Sequence, residues 1–158
     1  MAQQLPDTVM GILERFAATP DRLAHTLAGK TPAQLQHKPS PEVWSANEIL
    51  AHMRAVDAIV TSRILMILAR ENAPLAAFDE RQWAEVARYA EREVQDSLYL
   101  FTLQRAEIVH LLRQLPQELW QRSGQHETHG SLSILDIVQD MAEHETEHCA
   151  QIEALFAP

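Results

Sequence analysis

The chain has 158 residues and a formal charge of −9, with 13 Lys and Arg against 22 Asp and Glu and no basic run. That balance excludes the concentrated basic patch a nucleic-acid surface needs and disfavours anionic lipid. The single cysteine, Cys149, excludes an intrachain disulfide and suits a reducing cytosol, and the opening MAQQLPDTVMGILERF lacks the basic-then-apolar pattern of a secretory leader. Ala, Leu, Glu, Gln and Arg dominate while Gly numbers only 4, so the expected fold class is all-α, in one domain over residues 1–158.

The first helix is expected from about Asp7 to Leu27, with Val9, Ile12, Leu13, Phe16, Leu23 and Leu27 at helical spacings and Gly29-Lys30 ending it. Thr31-Pro32 supplies an N-cap followed by proline at the first helical position, which opens a short turn through Leu35. Ser45-Ala46-Asn47-Glu48 is a capping-box pattern at the start of a second long helix, whose stripe of Ile49, Met53, Val56, Val60, Ile64 and Ile67 runs towards Arg70. Its most apolar part, around Ala58–Leu68, is too short for a membrane span and carries Arg63. Residues 71–79 contain Pro74 and no sustained period, which predicts a connection. A third helix is expected from Asp79 or Glu80 to Leu115, with room for a kink, and Pro116 stops it before a short turn over Gln117–Trp120. Arg122–Gly130 is polar and reads as a loop. Ser133-Ile134-Leu135-Asp136 then repeats the capping-box pattern, opening a last helix to about Phe156. Four long amphipathic helices pack most simply as a bundle.

Two of the eight histidines, His144 and His148, stand four residues apart in the last helix. The apolar stripe of Ile134, Ile137, Met141, Ile152 and Leu155 runs through the pair, so both imidazoles are expected to face inward. Each buried ring nitrogen needs a partner, and one divalent metal ion would satisfy both rings. Two ligands rarely suffice. His52, on the flank of the apolar face in the second helix, is the best candidate for a third. The segment His144-Glu145-Thr146-Glu147-His148 matches the H-E-x-x-H pattern of zinc proteases, but only ten residues follow His148 and no downstream third ligand fits. Glu145 is the candidate catalytic base, or a group that orients a ligand. A carboxylate-bridged di-iron bundle is a poorer match, because the first and third helices offer no evident inward Glu.

In order and spacing, Trp44–Met53, Leu103-Gln104-Arg105, Gly130–Ile134 and His144-x-x-x-His148-x-x-Gln151-Ile152 resemble the DinB/YfiT superfamily of metalloenzymes over nearly the whole chain. The resemblance implies a four-helix bundle of up-down-down-up topology with a long crossover between helices two and three, for which residues 71–79 are the candidate. It also implies a metal site formed by one histidine of helix two and two of helix four, here His52, His144 and His148. The cofactor expected is one divalent ion, zinc or nickel. The activities implied are hydrolysis of a small molecule or a thiol-dependent S-transfer, with a noncatalytic metal- or ligand-binding bundle as the alternative. A low-molecular-weight thiol and a homodimer are the expected partners.

His126 and His129 are expected at the mouth of the site or free in a solvent-exposed loop, and His25, His37 and His110 have no partner pattern. Cys149 should be a buried structural thiol, Trp44 and Trp120 should pack near helix ends, and Arg105 should pair with an inward carboxylate.

Overall fold

Helix α1 (Asp7–Leu27) is followed by Gly29, whose left-handed backbone (φ 72°) turns the chain. Three later helices begin at capping boxes. Thr31, Ser45 and Ser133 each accept a bond from the amide three residues on, while the side chains of Gln34, Glu48 and Asp136 accept from the caps' own amides. These boxes open α2 (Pro32–Gln36), α3 (Ala46–Ala69) and the final helix at Ile134; each cap is worth about 1 kcal/mol. The computed structural model describes residues 7–157. Within them the remaining elements are strand β1 (Ala73–Leu75), helices α4 (Glu80–Val86) and α5 (Val94–Arg113), strands β2 (Ser123–His126) and β3 (Gly130–Ser133), and helix α6 (Ile134–Leu155).

Two apolar clusters define how the four long helices run. Leu23 and Leu27 near the end of α1 pack with Ile49, Leu50 and Met53 near the start of α3, with Val94 and Phe101 near the start of α5, and with Cys149 and Ile152 near the end of α6. At the other end, Leu13 and Phe16 meet Ile64 and Ile67, Ile108 and Leu112, and Ile134 and Val138. Helices α1 and α6 therefore run one way and α3 and α5 the other. This is the up-down-down-up bundle, and its parallel neighbours α3 and α5 require a long crossover.

That crossover is longer than residues 71–79. It occupies everything between Ala69 and Val94 and includes β1, α4 and a 3-10 turn over Tyr89–Glu91. The helix expected from residue 79 or 80 to 115 is therefore two helices. Arg88 adopts a left-handed backbone (φ 55°) at the break, and Arg92 donates to the carbonyl of Ala87 just past the end of α4. Asn47, buried in the first turn of α3, donates to the carbonyls of Tyr89 and Ala90, and the Tyr89 side chain is buried. These are contacts distant in sequence, and they override a locally helical pattern.

The segment 122–130, expected as a loop, also departs from expectation. Strand β2 pairs parallel with β1 and antiparallel with β3, giving a three-stranded sheet of order β1-β2-β3 where α3 ends and α6 begins. Gly124 carries the close pairing, since a Cβ there would sit 2.8 Å from the carbonyl oxygen of Ala73, and Gly130 (φ 74°) turns the chain into β3. Strands of three or four residues with mostly polar side chains have no hydrophobic alternation to betray them. The remaining expectations, α1 and α2, the stop at Pro116 with its 3-10 turn (Gln117–Gln121), and the start and end of α6, match the observed elements within a residue or so.

Candidate metal centre

Between the two apolar clusters the bundle carries a layer of polar side chains: Thr19 of α1, His52 and Asp57 of α3, Arg105 of α5, and His144, Glu145 and His148 of α6. The layer divides into two groups on adjacent faces of α6.

In the first group, Nε2 of His52 lies 3.0 Å from Nε2 of His144, which in turn lies 3.0 Å from Nε2 of His148. All three rings offer a ligand atom within 4.8 Å of the others. His52 is 1% exposed, deeper than its expected place on the flank of the stripe. Conversely, His144 and His148 are only partly buried, because Met141, Glu145, Cys149 and Ile152 hold the most buried line of α6 and leave the pair on its margin, facing α3. Trp44 packs on the His52 ring at a centroid distance of 4.9 Å. Burial, aided by the neighbouring imidazoles, pushes His52 down to about 3 and His144 down to about 4, so both rings are neutral at pH 7.

Neutrality makes this geometry a test for a metal. A neutral ring whose Nδ1 carries the proton presents a lone pair at Nε2, and Nδ1 of His148 donates to Oε1 of Gln151 at 2.9 Å. His144 Nε2 carries either one proton or one lone pair, yet faces two ring nitrogens at hydrogen-bond distance. Hydrogen bonding alone serves such a trio poorly. A divalent ion that accepts three lone pairs satisfies all three Nε2 atoms, with Nδ1 of His144 left as the trio's one buried nitrogen without a partner among the described residues, so the residues fit the ion the sequence implied.

The second group takes up Glu145. Its carboxylate accepts from both terminal nitrogens of Arg105, one at 2.7 Å, and from Thr19 Oγ1 at 3.1 Å. Arg105 also reaches Asp57 Oδ1 at 2.6 Å and lies over the rings of Phe16 and Phe101, so its expected carboxylate pairing is observed twice over. Burial pushes the Asp57 and Glu145 carboxyls up, against the pull of the guanidinium. The candidate base thus faces α1 and α5, turned away from the three imidazoles by the roughly 100° that separates consecutive helical residues.

Two cavities meet the histidine cluster. One, of about 290 Å³, touches His144 and Glu80 and extends to Arg63, His126 and His129. The other, of about 660 Å³, is bordered by Trp44, Glu80, His148 and Gln151. The hairpin of β2 and β3 therefore carries His126 and His129 to the mouth of the site. Trp120 is buried, and Trp44 walls the larger cavity. Cys149 is buried beside α1, where burial raises its thiol to about 11. Sequence reasoning missed Glu80, whose Oε2 stands 3.9 Å from His52 Nε2, and Asp57. Glu80 gave no signal, being placed by the helix break. Asp57 did give one, as a carboxylate four residues after Met53 on the apolar stripe.

A bundle of this topology with three imidazoles converging beside a cavity defines a class of helical proteins with a three-histidine cluster. The profile of the DinB superfamily matches residues 15–152, and the chain belongs to that family. Two proteins of Oceanobacillus iheyensis are similar in sequence. "Putative metal-dependent hydrolase OB0413" is 23% identical over 141 residues, covering 89% of this chain and 81% of that relative. "Putative metal-dependent hydrolase OB0782" is 27% identical over 112 residues, covering 71% of this chain and 64% of that relative. In fold the chain is similar to YfiT from Bacillus subtilis, titled "a probable metal-dependent hydrolase with an unusual four-helix bundle topology", with a TM-score of 0.88 at 19% identity over 97% of this chain and 89% of that one. No described helix is long and apolar enough to cross a membrane.

Proposed function

We propose that the chain is a single-domain hydrolase of a small molecule, dependent on one divalent ion held by His52, His144 and His148. The observation that carries this reading is the convergence of three imidazole Nε2 atoms beside a cavity. Zinc and nickel suit three imidazoles, and an ion held by His52, His144 and His148 would supply Lewis-acid activation of a water molecule or a substrate carbonyl. The names of the two Oceanobacillus relatives support the same class of reaction.

The chain's own groups divide the remaining work. Gln151 orients His148, Trp44 covers His52, and the Arg105 pairs hold α6 against α1, α3 and α5 so that the rings stay aligned. Glu145 acts as that anchor. Glu80, half exposed at the junction of the two cavities, is the carboxylate positioned to take a proton from a nucleophile beside the imidazoles. The exposed Tyr99, Leu100 and Leu103 on α5 support a homodimer, which light scattering checks.

The test is turnover of a panel of small esters and amides by protein loaded with zinc or nickel. Hydrolysis that a chelator stops and the metal restores is the expected result. Product formed only when a thiol is supplied, with the thiol incorporated, would replace the hydrolase by an S-transferase. Inactivity on the whole panel with metal bound would favour a noncatalytic metal-binding bundle.

A further inference from the structure

Arg63 lies on α3 eleven residues beyond His52, about 16 Å along the helix axis. It is partly buried, yet among the described residues it forms no ion pair, whereas the buried Arg105 has two carboxylate partners. Its polar contacts involve a single nitrogen, Nη2, which donates to the carbonyl oxygen of Ala76 at 2.5 Å and lies 3.2 Å from Nε2 of His126. Burial lowers the Arg63 pKa, the sign of a cation stripped of water without compensation by an anion.

The surroundings are rich in donors. Nδ1 of His126 accepts from the amides of Thr128 and His129, at 3.2 and 3.3 Å, which leaves the proton of the neutral ring on Nε2, facing Nη2 of Arg63. Burial and the neighbouring Arg63 push His126 down, which keeps it from adding a second charge. Between this corner and His144 the cavity wall is apolar, formed by Val56, Val60, Phe78 and Met141. Two carboxylates also face the cavity: Glu80 at the histidine end, and Asp140, which interacts with His129. Neither pairs with Arg63. A carboxylate near Glu80 is repelled unless the ion takes it, so an anionic ligand group is favoured at the Arg63 end.

We propose that this cavity is a substrate subsite for small organic carboxylates, with the carboxylate docked on Arg63 and an apolar chain laid towards the three imidazoles. The proposal rests on the metal-site reading above and adds the class and the orientation of the substrate. The acyl or amide group to be cleaved is then at the end of the molecule remote from its carboxylate.

Inhibitor binding tests this. The probes are alkyl hydroxamates of two to eight carbons, whose head group binds zinc, and the same chains ending in a carboxylate. Zinc-loaded protein should bind the alkyl hydroxamates, and one chain length should gain roughly tenfold or more from the terminal carboxylate, as expected for a charge-assisted hydrogen bond out of bulk water. Arg63→Met should remove that gain while leaving zinc affinity and the affinity for plain alkyl hydroxamates within about twofold. Arg63→Lys keeps the charge without the bond to Ala76 and should retain part of the gain, which covers the case of a Met variant that folds badly. Equal binding of the two series at every length, or a gain that survives Arg63→Met, overturns the subsite. Failure of all hydroxamates to bind strikes the metal-site reading instead.

Discussion

The two polar groups on neighbouring faces of α6 are built from similar materials and end in opposite states. Arg105 sits between Asp57 and Glu145 with opposite charges in contact and both aromatic neighbours packed on the guanidinium. His52, His144 and His148 are held as close together, but with their Nε2 atoms turned towards one another and, among the described residues, no anion paired with them as closely. A buried charge neutralised within its own chain serves the fold, even with Asp57 Oδ2 and Arg105 Nε left without hydrogen-bond partners among the described residues. A polar group left incomplete beside a cavity is shaped for something that comes from outside. Consecutive residues, His144 and Glu145, belong to the two different states because one helical step points them at different neighbours.

The largest expected effect breaks the charge-paired group. Arg105→Met leaves two carboxyls buried without a counter-ion and should cost about 3–5 kcal/mol of stability, read from denaturant unfolding. A cost below about 1 kcal/mol would show that the triad contributes no more than a surface pair.

The incomplete group should respond to metal, not to truncation. In metal-free protein, His148→Ala should change stability by under about 1 kcal/mol, since the ring is only partly buried. Zinc at a thousand times its Kd should stabilise the wild type by about 4 kcal/mol and this variant far less, measured as the shift in Tm. Equal shifts in both proteins would remove His148 from the site.

Acid sharpens the contrast. His52 and His144 are pushed down to about 3 and about 4 in the fold, while an unfolded histidine titrates near 6.5. Between these values the unfolded chain binds more protons, so metal-free protein should lose stability as pH falls from about 6.5 towards 4. The same protons compete with the ion. Unfolding curves at pH 7 and pH 5 check this, and the double variant His52→Ala/His144→Ala should lose much of the difference.

The smallest effect concerns orientation. Gln151→Ala frees the His148 ring from its 2.9 Å bond and should weaken zinc binding roughly 10-fold to 100-fold without moving the metal-free Tm beyond about a degree or two.

Helix starts and the shared side of His144 and His148 were legible because they depend on short-range rules, whereas the depth of the pair, on the margin of α6, was not. A serine with an acid three residues on marks a cap, and two histidines four apart share a face whatever the rest of the chain does. The break at Arg88, the sheet and the position of Glu80 were not legible. Each depends on a partner far away in sequence: Asn47 for the turn at Tyr89, Ala73 for the register of Gly124, and the whole crossover for Glu80. Glu145 illustrates the same limit within one motif. Its spacing from His144 allows a catalytic base, and only the contact with Arg105, forty residues away, shows the carboxylate paired on the far side from the imidazoles.

The central claim is that three imidazoles from α3 and α6 hold one divalent ion. Metal analysis with competitive chelator titration of the wild type and of His52→Ala, His144→Ala and His148→Ala tests it most directly. One equivalent of zinc or nickel in the wild type, with affinity at least about 100-fold lower in each variant, is the result this geometry predicts. Full occupancy at unchanged affinity in all three variants would contradict it.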